Sequence, residues 1–158
     1  MNFDTPKNKE RMSAGRERLM SLEREGKYVF HGSPVKIAIL EPRQAGGHDE
    51  ETGRYENDGT RAVFASTYAD CAIFRSLIHS REFENEMGIN DANQLHFIAD
   101  QVLMERAKGK IGYVYVLDKK DFGDFRGLDC TSKETMHPIE VVEVGFEDLP
   151  KAIKVVET

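Results

Sequence analysis

The chain has 158 residues, 39% of them apolar and 32% charged, with two cysteines and a formal net charge of −6. That length supports one domain whose core needs no covalent staples, and two isolated cysteines, Cys71 and Cys130, exclude a disulfide framework or a Cys-x-x-Cys zinc site. No apolar run approaches the ~18 residues of a membrane span, Met1–Lys9 is polar, and the acidic balance offers nucleic acid little attraction, so a cytoplasmic protein without membrane or nucleic-acid partners is expected.

Thr5-Pro6 reads as a helix start, with the hydroxyl as cap and proline in the first turn, and the helix is expected to run to Glu25 and stop at Gly26. Lys7, Lys9, Arg11, Arg16 and Arg18 alternate with Glu10, Glu17, Glu23 and Glu25, the pattern of a solvated face, with a phosphate clamp as the sharper alternative. Met12, Leu19, Met20 and Leu22 make only a narrow apolar stripe, so residues 1–26 are expected to form an N-terminal accessory helix on a single α+β domain of residues 27–158.

Lys27–Phe30 and Lys36–Leu40 read as short strands, the second ended by Pro42. Gln44–Thr60 carries Gly46, Gly47, Gly53 and Gly59 without apolar periodicity, the mark of a functional or disordered loop. Arg61–Ala65 is a buried strand, and Thr67–Ser80 has helical period with Ala69, Ala72, Ile73 and Leu77 on one side. Arg81–Asn90 reads as a polar connection. Asp91 then caps a helix ending near Lys108-Gly109, with His96 in its middle. Ile111–Leu117 is a central strand, Asp118–Lys133 a loop, Ile139–Phe146 a strand and Ala152–Val156 another. Strands outnumber helices and do not alternate strictly with them, which favours an α+β fold with a mixed or mostly antiparallel sheet.

Two strand ends draw attention to chemistry: Tyr28-Val29-Phe30-His31-Gly32-Ser33-Pro34 and Ala62-Val63-Phe64-Ala65-Ser66. On an extended backbone His31 and Ser33 point to one side, and Gly32 lets a ligand come close to the main chain. With the two strands adjacent, Phe64 and Phe74 offer two flat apolar faces, a slot suited to an amide-bearing ring such as nicotinamide. Both phenylalanines equally suit a core.

In their order, His31-Gly32-Ser33, Val63-Phe64-Ala65-Ser66 and the run Asp70-Cys71-Ala72 resemble the ADP-ribosyltransferase superfold, in the branch of the rifamycin ADP-ribosyltransferases and the poly-ADP-ribose polymerases. The resemblance spans roughly Tyr28 to Phe146 and includes Tyr113-Val114-Tyr115-Val116 and Pro138-Ile139-Glu140-Val141-Val142. It implies a split mixed or antiparallel sheet with flanking helices, NAD as substrate, and transfer of ADP-ribose to an acceptor with release of nicotinamide.

The resemblance also implies roles. His31 binds the ribose next to nicotinamide, Gly32 contacts the carboxamide, Ser33 or Ser66 adds polar contacts, and Phe64 stands where the family stacks a tyrosine. The family's acidic residue has three candidates, Asp124, Asp129 and Glu134, with Asp129 preferred because it precedes the turn into the last long strand. A phenylalanine in place of tyrosine and an unplaced acid leave a second reading open, a non-catalytic nucleotide- or protein-binding module of the same fold. Arg43, Arg54, Arg61, Arg75 and Arg126 are the cations near the inferred cleft. His48 and His79 read as solvent-facing, and His137-Pro138 reads as a turn leading into a strand. No spacing of histidines and acids suggests a metal site.

Overall fold

The structure, a computed structural model, describes residues 13–44 and 61–157. Its elements in chain order are α1 (Ala14–Glu25), β1 (Tyr28–Ser33), β2 (Arg43–Gln44), β3 (Arg61–Ser66), α2 (Ala69–Leu77), β4 (Asn85–Ile89), β5 (Leu95–Asp100), α3 (Gln101–Ala107), β6 (Ile111–Asp118), β7 (Gly123–Arg126), β8 (Asp129–Ser132), β9 (Glu140–Gly145) and β10 (Ile153–Val156). The main sheet has the order β7-β8-β3-β1-β6-β9, with β2 paired to β3 and every pairing antiparallel. A second sheet, β10-β5-β4, has one parallel pair, β10 with β5. The fold is α+β with two mostly antiparallel sheets. Among the described residues no helix is long and apolar enough to cross a membrane.

Period-two alternation sorts the main sheet into two faces. Phe30, Val114, Val116, Val142 and Val144 pack against Leu19 and Leu22 of α1 and Ile73, Phe74 and Leu77 of α2. Val29, Val63, Ala65, Tyr115, Leu117 and Cys130 face the other way, beneath Leu40, Phe122 and Met136. Leu19 and Leu22 are buried in the same cluster as α2, so α1 is built into the core rather than laid across it.

Thr5-Pro6 lies outside the described residues, but the helix does not run unbroken to it. Ser13 is extended and accepts from the Arg16 amide at 3.1 Å, making it the N-cap of α1, and Gly26 at φ 71° closes the helix as expected. The N-terminus of α2 receives its cap from another element. Tyr68 offers no side-chain cap, and Glu23 Oε1 of α1 accepts from the Ala69 amide at 2.7 Å.

Three expectations are corrected. Lys36–Leu40 is not a strand. Ser33 Oγ both accepts from Val35 N and donates to Val35 O, and the Ile37 amide donates to the Tyr115 hydroxyl, so a backbone donor that a ladder needs is taken. Among the described residues, the segment pairs with another only at the bridge of Leu40 with Met136. The second correction is the helix from Asp91. Asn90 Oδ1 accepts from Ala92 N and Gln94 N, turning a β4–β5 hairpin, and the helix begins only at Gln101, capped by Asp100. His96 therefore sits at an exposed position of β5, the middle strand of the second sheet. Third, the supposed connections Arg81–Asn90 and Asp118–Lys133 contain β4 and the β7–β8 hairpin.

Candidate functional site

β1 forms six register pairs with β6 but only one with β3, Phe30 opposite Ser66. Beyond that pair the two strands part, and the His31 side chain enters the gap. Its Nδ1 stands 2.6 Å from the Phe64 carbonyl oxygen; since a carbonyl only accepts, Nδ1 carries the proton and donates. The ring is further set by Tyr115, whose ring centroid lies 6.1 Å away at a tilt of 53°. A side chain thus replaces the ladder where the sheet splits.

Two cavities adjoin this point, and His31 and Phe64 line both. The larger, about 280 Å³, has apolar walls from Val35, Ile37, Ile39, Leu40, Ala62 and Val63, with Ser33 and Glu41 at its polar side. The smaller, about 210 Å³, is completed by Gly32 and Arg75. Tyr115, fully buried, holds the outer wall of the larger cavity by accepting from Ile37 N at 2.6 Å and donating to Val35 O at 3.1 Å.

Arg75, in the last turn of α2, reaches across to β8. Its Nη2 meets Asp129 Oδ1 at 3.0 Å, with both side chains about two-fifths exposed (36% and 42%). Asp129 lies opposite Ser66 in the β3–β8 ladder, so β1, β3, β8 and α2 all converge on this place.

The structure thus brings His31, Gly32 and Phe64 together, and ties Asp129 to them through Arg75. It reassigns the remaining candidates. Phe74 is buried and packs on Phe97 with centroids 5.1 Å apart, so it belongs to the core and gives no second face to a slot. Ser66 is fully buried, and its hydroxyl accepts from Tyr68 N at 3.1 Å, which withdraws it from ligand contact. Ser33 lines the larger cavity, but its hydroxyl is committed to the Val35 turn. Gly32 is required by packing: a Cβ there would fall on the Ala72 carbonyl of α2. None of the three acids lines a cavity that holds His31; Asp124 is exposed at φ 52° on the β7 hairpin and Glu134 is exposed after β8, whereas Asp129 reaches the site through its ion pair with Arg75. Arg61 and Arg126 are exposed, His79 and His137 face solvent, and Arg54 and His48 lie outside the described residues.

Arg75 and Glu41 are the polar lining residues that sequence reasoning left without a role, and Tyr115 is the positioning residue it missed. The signal for Arg75 was present, since it lies one helical turn past Cys71 on the helix that follows the Phe64 strand. For Glu41 there was none, because the path of residues 34–42 follows from side-chain bonds and not from periodicity. No family model, no curated protein and no solved structure matches this chain.

The thiols near the site are inert. Burial pushes Cys71 up to about 11, against the opposing hydrogen bond from Ser66, and pushes Cys130 up to about 12. Neither is a nucleophile at neutral pH.

Proposed function

We propose that this chain binds NAD across the split between β1 and β3 and transfers its ADP-ribose to an acceptor nucleophile. The observation that carries the reading is the single β1–β3 register pair, followed at once by a histidine that enters the gap and lines both cavities. The apolar cavity walled by Val35, Ile37 and Ile39 suits a flat ring such as nicotinamide, and Phe64 lines both cavities.

In the reaction the bond between the ribose anomeric carbon and the nicotinamide nitrogen breaks, and its electron pair leaves with neutral nicotinamide. The ribosyl centre becomes cationic, the acceptor's lone pair forms the new bond, and the acceptor's proton passes to water. His31, held in one orientation by its Nδ1 donation, serves as the fixed contact for the ribose. Asp129 is the carboxylate that faces the developing positive charge once its guanidinium partner has moved. That displacement is easy, because an exposed ion pair of this kind is worth only about 0–1 kcal/mol.

A second reading, a binding module without catalysis, is favoured by the same contact, since Arg75 neutralises Asp129 as the structure stands. Titration calorimetry with NAD on the wild type, His31→Ala and Phe64→Ala, alongside chromatographic detection of released nicotinamide, separates the readings. Binding abolished by both substitutions with nicotinamide released supports the transferase. The same binding without release supports the module. No binding by the wild type overturns the transferase and leaves only a module whose partner is not NAD.

A further inference from the structure

Arg75 is the permanent cation among the described residues that line the 210 Å³ cavity, and it shares that lining with His31, Gly32 and Phe64. Its partner Asp129 is on β8, and the contact is a single one, Nη2 to Oδ1 at 3.0 Å. A monodentate pair with both ends about two-fifths exposed uses little of what a guanidinium can do. A phosphate group offers the same cation a forked, bidentate contact, which is the stronger arrangement. The apolar cavity shares His31 and Phe64 with this one, so a ligand that fills both has a flat ring at one end and an anionic group at the other.

We propose that Arg75 is the anchor for the phosphate groups of the ligand, exchanging Asp129 for a diphosphate when the ligand enters. This rests on the NAD reading above and extends it. The exchange links binding to chemistry, because the contact that seats the diphosphate is the one that releases the Asp129 carboxylate beside the ribose. Asp129 is thereby masked without ligand and unmasked with it.

The test uses titration calorimetry of the full chain with NAD, nicotinamide riboside (which lacks phosphate) and inorganic pyrophosphate. Arg75→Gln is expected to weaken NAD and pyrophosphate about tenfold or more, and to leave nicotinamide riboside unchanged. Arg75→Lys, keeping the charge without the fork, is expected to recover part of the loss. Asp129→Asn is expected to tighten pyrophosphate while slowing nicotinamide release. Thermal unfolding checks that each variant is folded, which loss of an exposed pair does not threaten. Equal weakening of NAD and nicotinamide riboside in Arg75→Gln, or no weakening of either, overturns the anchor and leaves the NAD reading standing. Pyrophosphate binding that depends on Arg75 in a protein that ignores NAD keeps the anchor and overturns the NAD reading. A wild type that binds none of the three overturns both.

Discussion

The Cα of Gly32 lies against the backbone of Ala72, so that a Cβ at Gly32 would meet the Ala72 carbonyl carbon at 2.9 Å and the Ser76 amide nitrogen at 3.1 Å. The contact is between main chains, and neither can turn aside as a long side chain would. Gly32 therefore sets how closely α2 approaches β1, and with it where Arg75 stands relative to His31. Gly32→Ala is expected to destabilise the fold by about 3 kcal/mol or more, at the upper end for overpacking, because backbone would have to move. Gly123→Ala, where nothing lies within 4 Å, is the control and is expected to stay within about 0.5 kcal/mol. Urea unfolding of the two variants measures both. A Gly32→Ala variant as stable as the control would show that α2 has room to withdraw.

Tyr115 makes the second expectation. Its hydroxyl is the acceptor for Ile37 N and a donor to Val35 O, and its ring is fully buried. Tyr115→Phe keeps the ring and removes the oxygen. Val35 O still accepts from Ser33 Oγ, so the loss falls on the Ile37 amide, at a cost of about 1–2 kcal/mol. The same change frees the outer wall of the larger cavity, so faster amide hydrogen exchange is expected at residues 35–41 with little change in β6 itself. Exchange that stays slow there would mean that the Leu40–Met136 bridge alone holds the segment.

The central sheet was legible because apolar alternation and buried runs betray strands directly. Arg61–Ala65, Ile111–Leu117 and Ile139–Phe146 each lie within two residues of β3, β6 and β9. His31 and Ser33 were placed on one side by that same alternation. The β4–β5 hairpin was not legible. Asp91-Ala92-Asn93-Gln94 looks like a helix cap, yet the turn is made by Asn90 reaching two and four residues ahead, and Gly88 leaves room for the His96 ring across the ladder. Phe74 shows the limit at the site. Its spacing from Phe64 permits a shared slot, and only the position of Phe97 decides that its ring is spent in the core.

The cysteines give a test of burial that needs no ligand. Cys71 sits on α2 and Cys130 on β8, both fully buried, with burial the leading cause that lifts them to about 11 and about 12. At pH 8 both are thiols, and no reagent reaches them in the folded state. Ellman's reagent is therefore expected to titrate no thiol in native protein over minutes and both thiols in guanidinium chloride. Rapid reaction of one thiol without denaturant would mean that α2 or the β7–β8 hairpin opens far more often than the packing implies.

Glu23 sets opposing effects against each other at the junction of α1 and α2. Burial raises its pKa above the usual 4.5, the Ala69 amide at the start of α2 pulls it down, Asp70 raises it, and Arg16 and Arg24 lower it. Burial is the largest, so the net shift is upward: the folded protein holds the proton more tightly than the unfolded chain does. A carboxyl shifted this way contributes stability that is fully present below about pH 4.5 and is lost as the pH rises through its folded value. Glu23→Gln keeps an oxygen for the Ala69 amide and removes the buried charge beside Asp70. Relative to wild type it is therefore expected to gain stability as the pH rises from 4.5 toward neutrality, and then to hold that gain. Urea midpoints at pH 4, 5, 6 and 7 read the difference. A wild type that gains on Glu23→Gln over that range would show that the anion is worth more to the start of α2 than its burial costs, reversing the order of the two effects.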